Sequence, residues 1–148
     1  MNKKIVIIAI VVIVGFIAFD WITGFSDEGE KSNNVVFHIT LANPELYSNG
    51  SYTDKFSIDS GTYFFRFVPN GSSPEILSIK LSGQNYEFVE NFNLKSIPHE
   101  SETAKYFTWK YEGKKEIIIE SLQEISITIN PNGNIMGSVS VDLIKKEA

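Results

Sequence analysis

The stretch Ile125-Ser126-Ile127-Thr128-Ile129-Asn130-Pro131-Asn132-Gly133-Asn134-Ile135-Met136-Gly137-Ser138-Val139-Ser140-Val141-Asp142-Leu143 decides the fold class. Its first five residues alternate isoleucine with a hydroxyl side chain, the period of a strand with one dry and one wet face. Asn130 to Asn134 then collects the residues that bend a chain. Beyond the turn the alternation resumes, with Ile135, Gly137, Val139, Val141 and Leu143 facing inward and Ser138, Ser140 and Asp142 facing outward. An amphipathic helix would space its apolar residues three and four apart, and this run does not.

Working upstream, the same period recurs back to Val35. Val35, Phe37, Ile39 and Leu41 share one face, with His38 and Thr40 on the other, and Asn43-Pro44 ends the run. Asn49-Gly50 is a hairpin signal. Lys55 to Ile58 reads as a short strand closed by Asp59-Ser60-Gly61. Thr62 to Val68 is strongly strand-like, with Tyr63, Phe65 and Phe67 inward. Leu77, Ile79 and Leu81 form another inward set, then Tyr86, Phe88 and Phe92. Ser96 to Thr103 is expected to be the longest polar loop. Phe107, Trp109 and Tyr111 follow as core residues opposite Tyr106, Thr108 and Lys110, and Ile117 and Ile119 close the series. About eight or nine strands with turns every 8–12 residues predict an all-β antiparallel sandwich, jelly-roll-like, over residues 35–148. The 11 Phe and 6 Tyr, placed mostly in these runs, are enough to fill its core.

Ahead of the sandwich, Lys3 and Lys4 precede an unbroken apolar stretch from Ile5 to Phe19, which resumes after Asp20 with Trp21, Ile22 and Phe25. Through Phe25 it counts about 21 residues, enough to cross a ~30 Å hydrocarbon layer as a helix. Residues 1–25 are therefore expected to be a signal-anchor transmembrane helix in the bilayer. Lys3 and Lys4 place its N-terminus in the cytoplasm, and Trp21 falls at the far interface. The alternative is a signal peptide cut after Gly24-Phe25-Ser26. Residues 26–34 read as a polar tether, so the sandwich is expected to be extracytoplasmic on a single-pass cell-membrane protein.

Charge and composition narrow the function. The net charge is −5 over 148 residues and Arg66 is the sole arginine, so the cationic footprint of a nucleic-acid binder is missing. There is no cysteine, hence no disulfide framework, thiolate metal site or thiol nucleophile. No Gly-x-Ser-x-Gly elbow and no Asp-x-Asp-x-Asp loop occurs, which leaves Asp54, Asp59 and Asp142 as calcium candidates in number only. His99, Glu100 and Glu102 are the candidate metal ligands, one imidazole and two carboxylates in one segment, short of a complete site. No cofactor is expected.

Phe64 and Tyr106 run out of phase with the inward residues. They are either covered by a second layer or exposed as contacts for a protein or a glycan. Asn49-Gly50-Ser51 and Asn70-Gly71-Ser72 match the glycosylation pattern at Asn49 and Asn70, where Asn-Gly is equally ordinary turn chemistry.

The run Asp59-Ser60-Gly61-Thr62-Tyr63-Phe64-Phe65-Arg66-Phe67 with Pro69-Asn70-Gly71 resembles the GOLD (Golgi-dynamics) β-sandwich of transmembrane cargo receptors. The run from Ile125 to Val141 is similar to the end of such a domain and to bacterial and archaeal pre-peptidase-type sandwiches; small anchored archaeal proteins have this look too. The resemblance implies a sandwich whose exposed loops and faces bind proteins or glycans. It does not extend to cargo sorting: here the apolar segment comes first, and the receptors' coiled coil, sorting tail and disulfide have no counterpart. The expected function is a non-catalytic, membrane-anchored interaction module or accessory subunit of a membrane complex. A carbohydrate or cell-envelope binder is the alternative, and a small hydrolase comes last.

Overall fold

The computed structural model describes residues Asn34–Glu147. The segment expected to be the anchor, its orientation residues Lys3, Lys4 and Trp21, and the tether up to Asn33 lie outside the described residues. No helix among the described residues is long and apolar enough to cross a membrane.

Nine strands form an all-β domain: β1 (Val35–Leu41), β2 (Tyr52–Ile58), β3 (Gly61–Pro69), β4 (Ile76–Gly83), β5 (Tyr86–Glu100), β6 (Lys105–Glu112), β7 (Glu116–Ile119), β8 (Gln123–Asn130) and β9 (Val139–Lys145). A single 3₁₀ turn, Pro44–Leu46, interrupts the β1–β2 connection, started by the Asn43 side chain, which accepts from the Glu45 N–H at 3.0 Å. The strands make two antiparallel sheets, four-stranded in the order β1-β9-β3-β7 and five-stranded in the order β2-β8-β4-β5-β6. The first four strands alternate between the sheets.

The alternation that marked these segments fills the space between the sheets. Tyr63 and Phe65 of β3, Val141 and Leu143 of β9, and Phe37 and Leu41 of β1 come from one side. Leu77, Ile79 and Leu81 of β4 and Ile125, Ile127 and Ile129 of β8 come from the other, and all are buried. Phe65 sits at the middle of an aromatic cluster, with Phe67, Phe88 and Phe92 centroids 6.1, 5.9 and 5.8 Å away. Where the β1–β2 connection doubles back, Asn49 (φ 51°) and Gly50 (φ 80°) take the left-handed backbone of a two-residue hairpin turn, and Ser48 and Ser51 exchange both backbone hydrogen bonds around it.

Two ends of the domain are distinct. Leu41 and Pro69 both pair with Val139 at one end, while Gly61 pairs with Ile119 at the other. The chain enters at this second end, where the Asn34 carbonyl accepts the Lys145 N–H at 2.7 Å.

Three expectations are corrected. Ser96 to Thr103 is not a long loop: β5 continues through Glu100 and only Ser101–Ala104 turns the chain into β6. Ile135 to Ser138 precede the last strand, which begins at Val139. Asp142, expected on a wet face, is buried at 3% exposure, because β9 lies between β1 and β3 and their side chains close over it.

Candidate functional site

The long β5 strand creates the feature that stands apart from the core. Strand β4 pairs with β5 only as far as Ile76 opposite Asn93, whereas β6 pairs with it from Asn93 out to Glu100. Leu94 to Glu100 therefore have a partner strand on one side only. These seven or so residues make, with β6, a two-stranded arm that runs ~23 Å beyond β4 at about 3.3 Å per residue. The 70–75 connection joins Pro69 to Ile76, so the arm leaves at the end opposite the chain entry.

The base of the arm is fastened. The Leu94 N–H donates to the Glu75 carbonyl at 2.8 Å. Buried Tyr111 donates its hydroxyl to the Pro74 carbonyl at 2.5 Å, and burial raises its pKa well above the usual phenol value. Trp109 lies over Gly71, where an added Cβ would stand 3.1 Å from the indole. A Cβ there would push the ring back by a few tenths of an ångström.

Further out the arm carries rings on both faces. His99 and Tyr106 are cross-strand partners and stack at 4.9 Å with an interplanar angle of 11°. His99 Nε2 is hydrogen-bonded to Thr108 Oγ1 at 2.8 Å, which fixes the imidazole under the phenol. On the opposite face Phe107 pairs with Pro98. Tyr106 is 53% exposed and Phe107 59%. Phe107 has the inward phase expected of it, but at its position no opposing sheet remains to cover it. Near the tip, Glu100 and Lys105 pair at 2.9 Å. A shallow groove of about 330 Å³ is lined by Pro98, His99, Glu100, Lys105, Tyr106 and Phe107.

Phe64 is also exposed, at 36%, but it is not near Tyr106. It stands on the outer face of the four-stranded sheet, where Val68 and Ile118 are exposed too. Tyr106 faces out from the five-stranded sheet. The two aromatic candidates therefore belong to separate surfaces.

On that four-stranded face the structure assembles a cluster that no spacing announced. The register places His38 opposite Asp142 and Asp142 opposite Arg66, across β1, β9 and β3. Arg66 donates to Asp142 Oδ2 from Nε at 2.9 Å and from Nη2 at 2.6 Å, and His38 Nδ1 is hydrogen-bonded to Oδ1. Burial alone would raise the Asp142 pKa, but the bonds from His38 and Arg66 outweigh it and bring the carboxyl below its ordinary value of 3.8. His38 Nε2 lies 3.4 Å from Thr40 Oγ1, and Thr40 Oγ1 is 2.8 Å from Ser140 Oγ. The order carboxylate, imidazole, hydroxyl is that of an acid–base relay. Two features oppose that use here: Arg66 already neutralises the carboxylate, and the hydroxyl stands outside the ~2.6–3.2 Å reach of an activated nucleophile. Mechanically the cluster is a clamp across three strands.

The chain matches no known protein family, no curated protein and no solved structure. The reading of the site therefore rests on its own geometry.

The other sequence candidates are dispersed. His99 and Glu100 are strand residues engaged with Thr108 and Lys105, Glu102 lies in the Ser101–Ala104 turn, and among the described residues no group of three His, Asp or Glu is placed to hold a metal ion. Asp54 accepts from the Tyr52 hydroxyl at 3.2 Å, and the Asp59 carbonyl accepts from the Tyr63 hydroxyl at 2.9 Å. Asn49 is an exposed turn residue. Asn70 is exposed, but its amide is in use: Nδ2 donates to Ser138 Oγ at 2.9 Å and Oδ1 accepts from the Ser72 N–H at 2.8 Å.

Proposed function

We propose that this protein is a membrane-anchored, extracytoplasmic interaction module, an accessory subunit that binds a protein partner and carries out no chemistry of its own. The observation that carries the reading is the arm. Its outer half adds nothing to the core, yet it displays Tyr106 and Phe107 to solvent on a fastened two-stranded support. Exposed rings on a projecting strand pair fastened at its base are the ingredients of a contact surface, since aromatic anchors supply area with little rotamer entropy to lose. The alternation of strands between two sheets supports a jelly-roll reading of the sandwich, with β6 added at one edge, and the GOLD-like resemblance is a reading at that fold level.

The test is purification of the full chain in mild detergent, with and without the double substitution Tyr106→Ser, Phe107→Ser. The native chain brings down a defined partner. The variant loses it, by about tenfold or more in affinity if the rings are hot spots. A solitary native chain, or a variant that binds as well as the native one, contradicts the proposal.

A glycan ligand is the second reading, favoured by the flat Tyr106 ring held on His99, whose other side is open for stacking on a sugar. Binding to envelope polysaccharide that disappears with Tyr106→Ala, in the absence of any protein partner, supports it over the first.

A further inference from the structure

Of the four sheet edges, three are blunted. Strand β1 has a register break between Val35 and Phe37. Strand β7 is only four residues long. Strand β2, laid against itself about its centre, sets Lys55 against Lys55, and like charges directly opposite one another destabilise a pair. Strand β6 has none of these defences. It is eight residues long, pairs with β5 in unbroken register, and carries Tyr, Phe, Thr and Trp in succession. Its two lysines are matched within the arm, Lys105 with Glu100 at 2.9 Å and Lys110 with Glu112 at 3.5 Å. A long, regularly paired, β-prone edge whose lysines are each ion-paired is a template for strand addition.

We infer that the β6 edge pairs with the β6 edge of a second copy of this chain, antiparallel and centred on Thr108. This rests on the interaction-module reading and names one of its partners. A two-fold axis normal to the sheet keeps each side chain on its own face, so the centre must fall on a residue. Centred on Thr108, the pairing sets Phe107 against Trp109, Tyr106 against Lys110 and Lys105 against Tyr111, each twice. The first two are aromatic and cation–aromatic neighbours, favourable cross-strand combinations; Lys105 falls beside a position whose Tyr111 ring is buried in the core, and no like charges meet. Centred on Lys110 instead, the lysines would oppose each other. The pairing also answers a structural need: beyond Asn93 the arm is a lone two-stranded ribbon, which is marginal by itself, and a second copy makes it four-stranded.

The absence of cysteine makes the test clean. In the proposed register the two Thr108 Cα atoms lie about 4.5–5.5 Å apart, within disulfide reach. The full chain carrying Thr108→Cys, in detergent micelles with a mild copper oxidant, is compared on a non-reducing gel with the chain carrying Ser57→Cys on the β2 edge. The expected result is a covalent dimer from T108C, none from S57C, and loss of the T108C dimer when Tyr106→Lys is added to face Lys110. A single-chain mass for the native protein in micelles, with T108C no more cross-linked than S57C, overturns the inference. Should T108C fail while the Tyr106→Ser, Phe107→Ser variant still loses a different protein, the second-copy assignment falls and the interaction reading stands.

Discussion

Arg66 and Asp142 are joined through one oxygen: both Nε and Nη2 of the guanidinium donate to Oδ2, at 2.9 and 2.6 Å, which leaves Oδ1 to His38. The carboxylate is buried while both of its partners remain about half exposed. Arg66→Met therefore strands a buried oxygen rather than merely deleting a surface charge. The expected loss is about 1–3 kcal/mol, read as a lower urea midpoint; it is held below that of a fully buried pair by the remaining His38 bond and by solvent around Arg66.

The same pair sets an acid limit. The folded Asp142 pKa lies below its ordinary value of 3.8, so the folded state binds this proton less readily than the unfolded chain. Its contribution is fully present above the unfolded value and drains away as pH falls through the folded one. Stability of the native protein should fall more steeply below about pH 4 than that of Asp142→Asn, measured by denaturation from pH 6 to pH 2. Parallel curves for the two would contradict the assignment.

Gly137 packs its Cα onto the neighbouring loop, where an added Cβ would stand 2.0 Å from the Ser72 carbonyl oxygen. The nearest obstacle is the Ser72 backbone, which cannot swing aside as the Asn134 side chain, 2.8 Å away, could. Gly137→Ala is expected to cost about 2–4 kcal/mol, whereas Met136→Ala next to it, exposed, changes stability by less than about 0.5 kcal/mol. Thermal melts of the two variants distinguish them.

The Tyr111 hydroxyl bond to Pro74 pins the base of the arm to the β3–β4 connection. Tyr111→Phe keeps the ring and leaves the Pro74 carbonyl without its donor, an expected loss of about 1–2 kcal/mol. Hydrogen exchange should show the amides from Leu94 to Trp109 opening faster, while those of β8 remain protected.

Much of this architecture was legible in the sequence. Two-residue alternation located every strand, and the inward sets around Phe65, Ile79 and Ile127 are the core, because the period of a strand follows directly from backbone geometry. The misreadings have physical causes. Ser96 to Glu100 looked like loop because Pro98 sits among polar residues, and proline breaks a ladder flanked on both sides. Past Asn93, β5 has a single neighbour, so a missing N–H facing the open side costs no bond. Phe107 keeps the phase of a core residue on a strand that has outrun its opposing sheet. The Asp142 clamp was hidden for another reason: alternation marks His38, Arg66 and Asp142 as outward but says nothing of which strands are neighbours. That β9 lies between β1 and β3 is a property of topology, not of any local pattern.

The central claim is that the arm is the part of this protein that touches something else. It is tested most directly by photo-crosslinking from intact cells, with a photoreactive residue placed at Tyr106 and, in a separate chain, at Ser57 on the far edge of the same sheet. The account predicts discrete protein adducts, a second copy of the chain among them, from position 106 and none from position 57. No adduct at 106, or the same adducts from both positions, would contradict it.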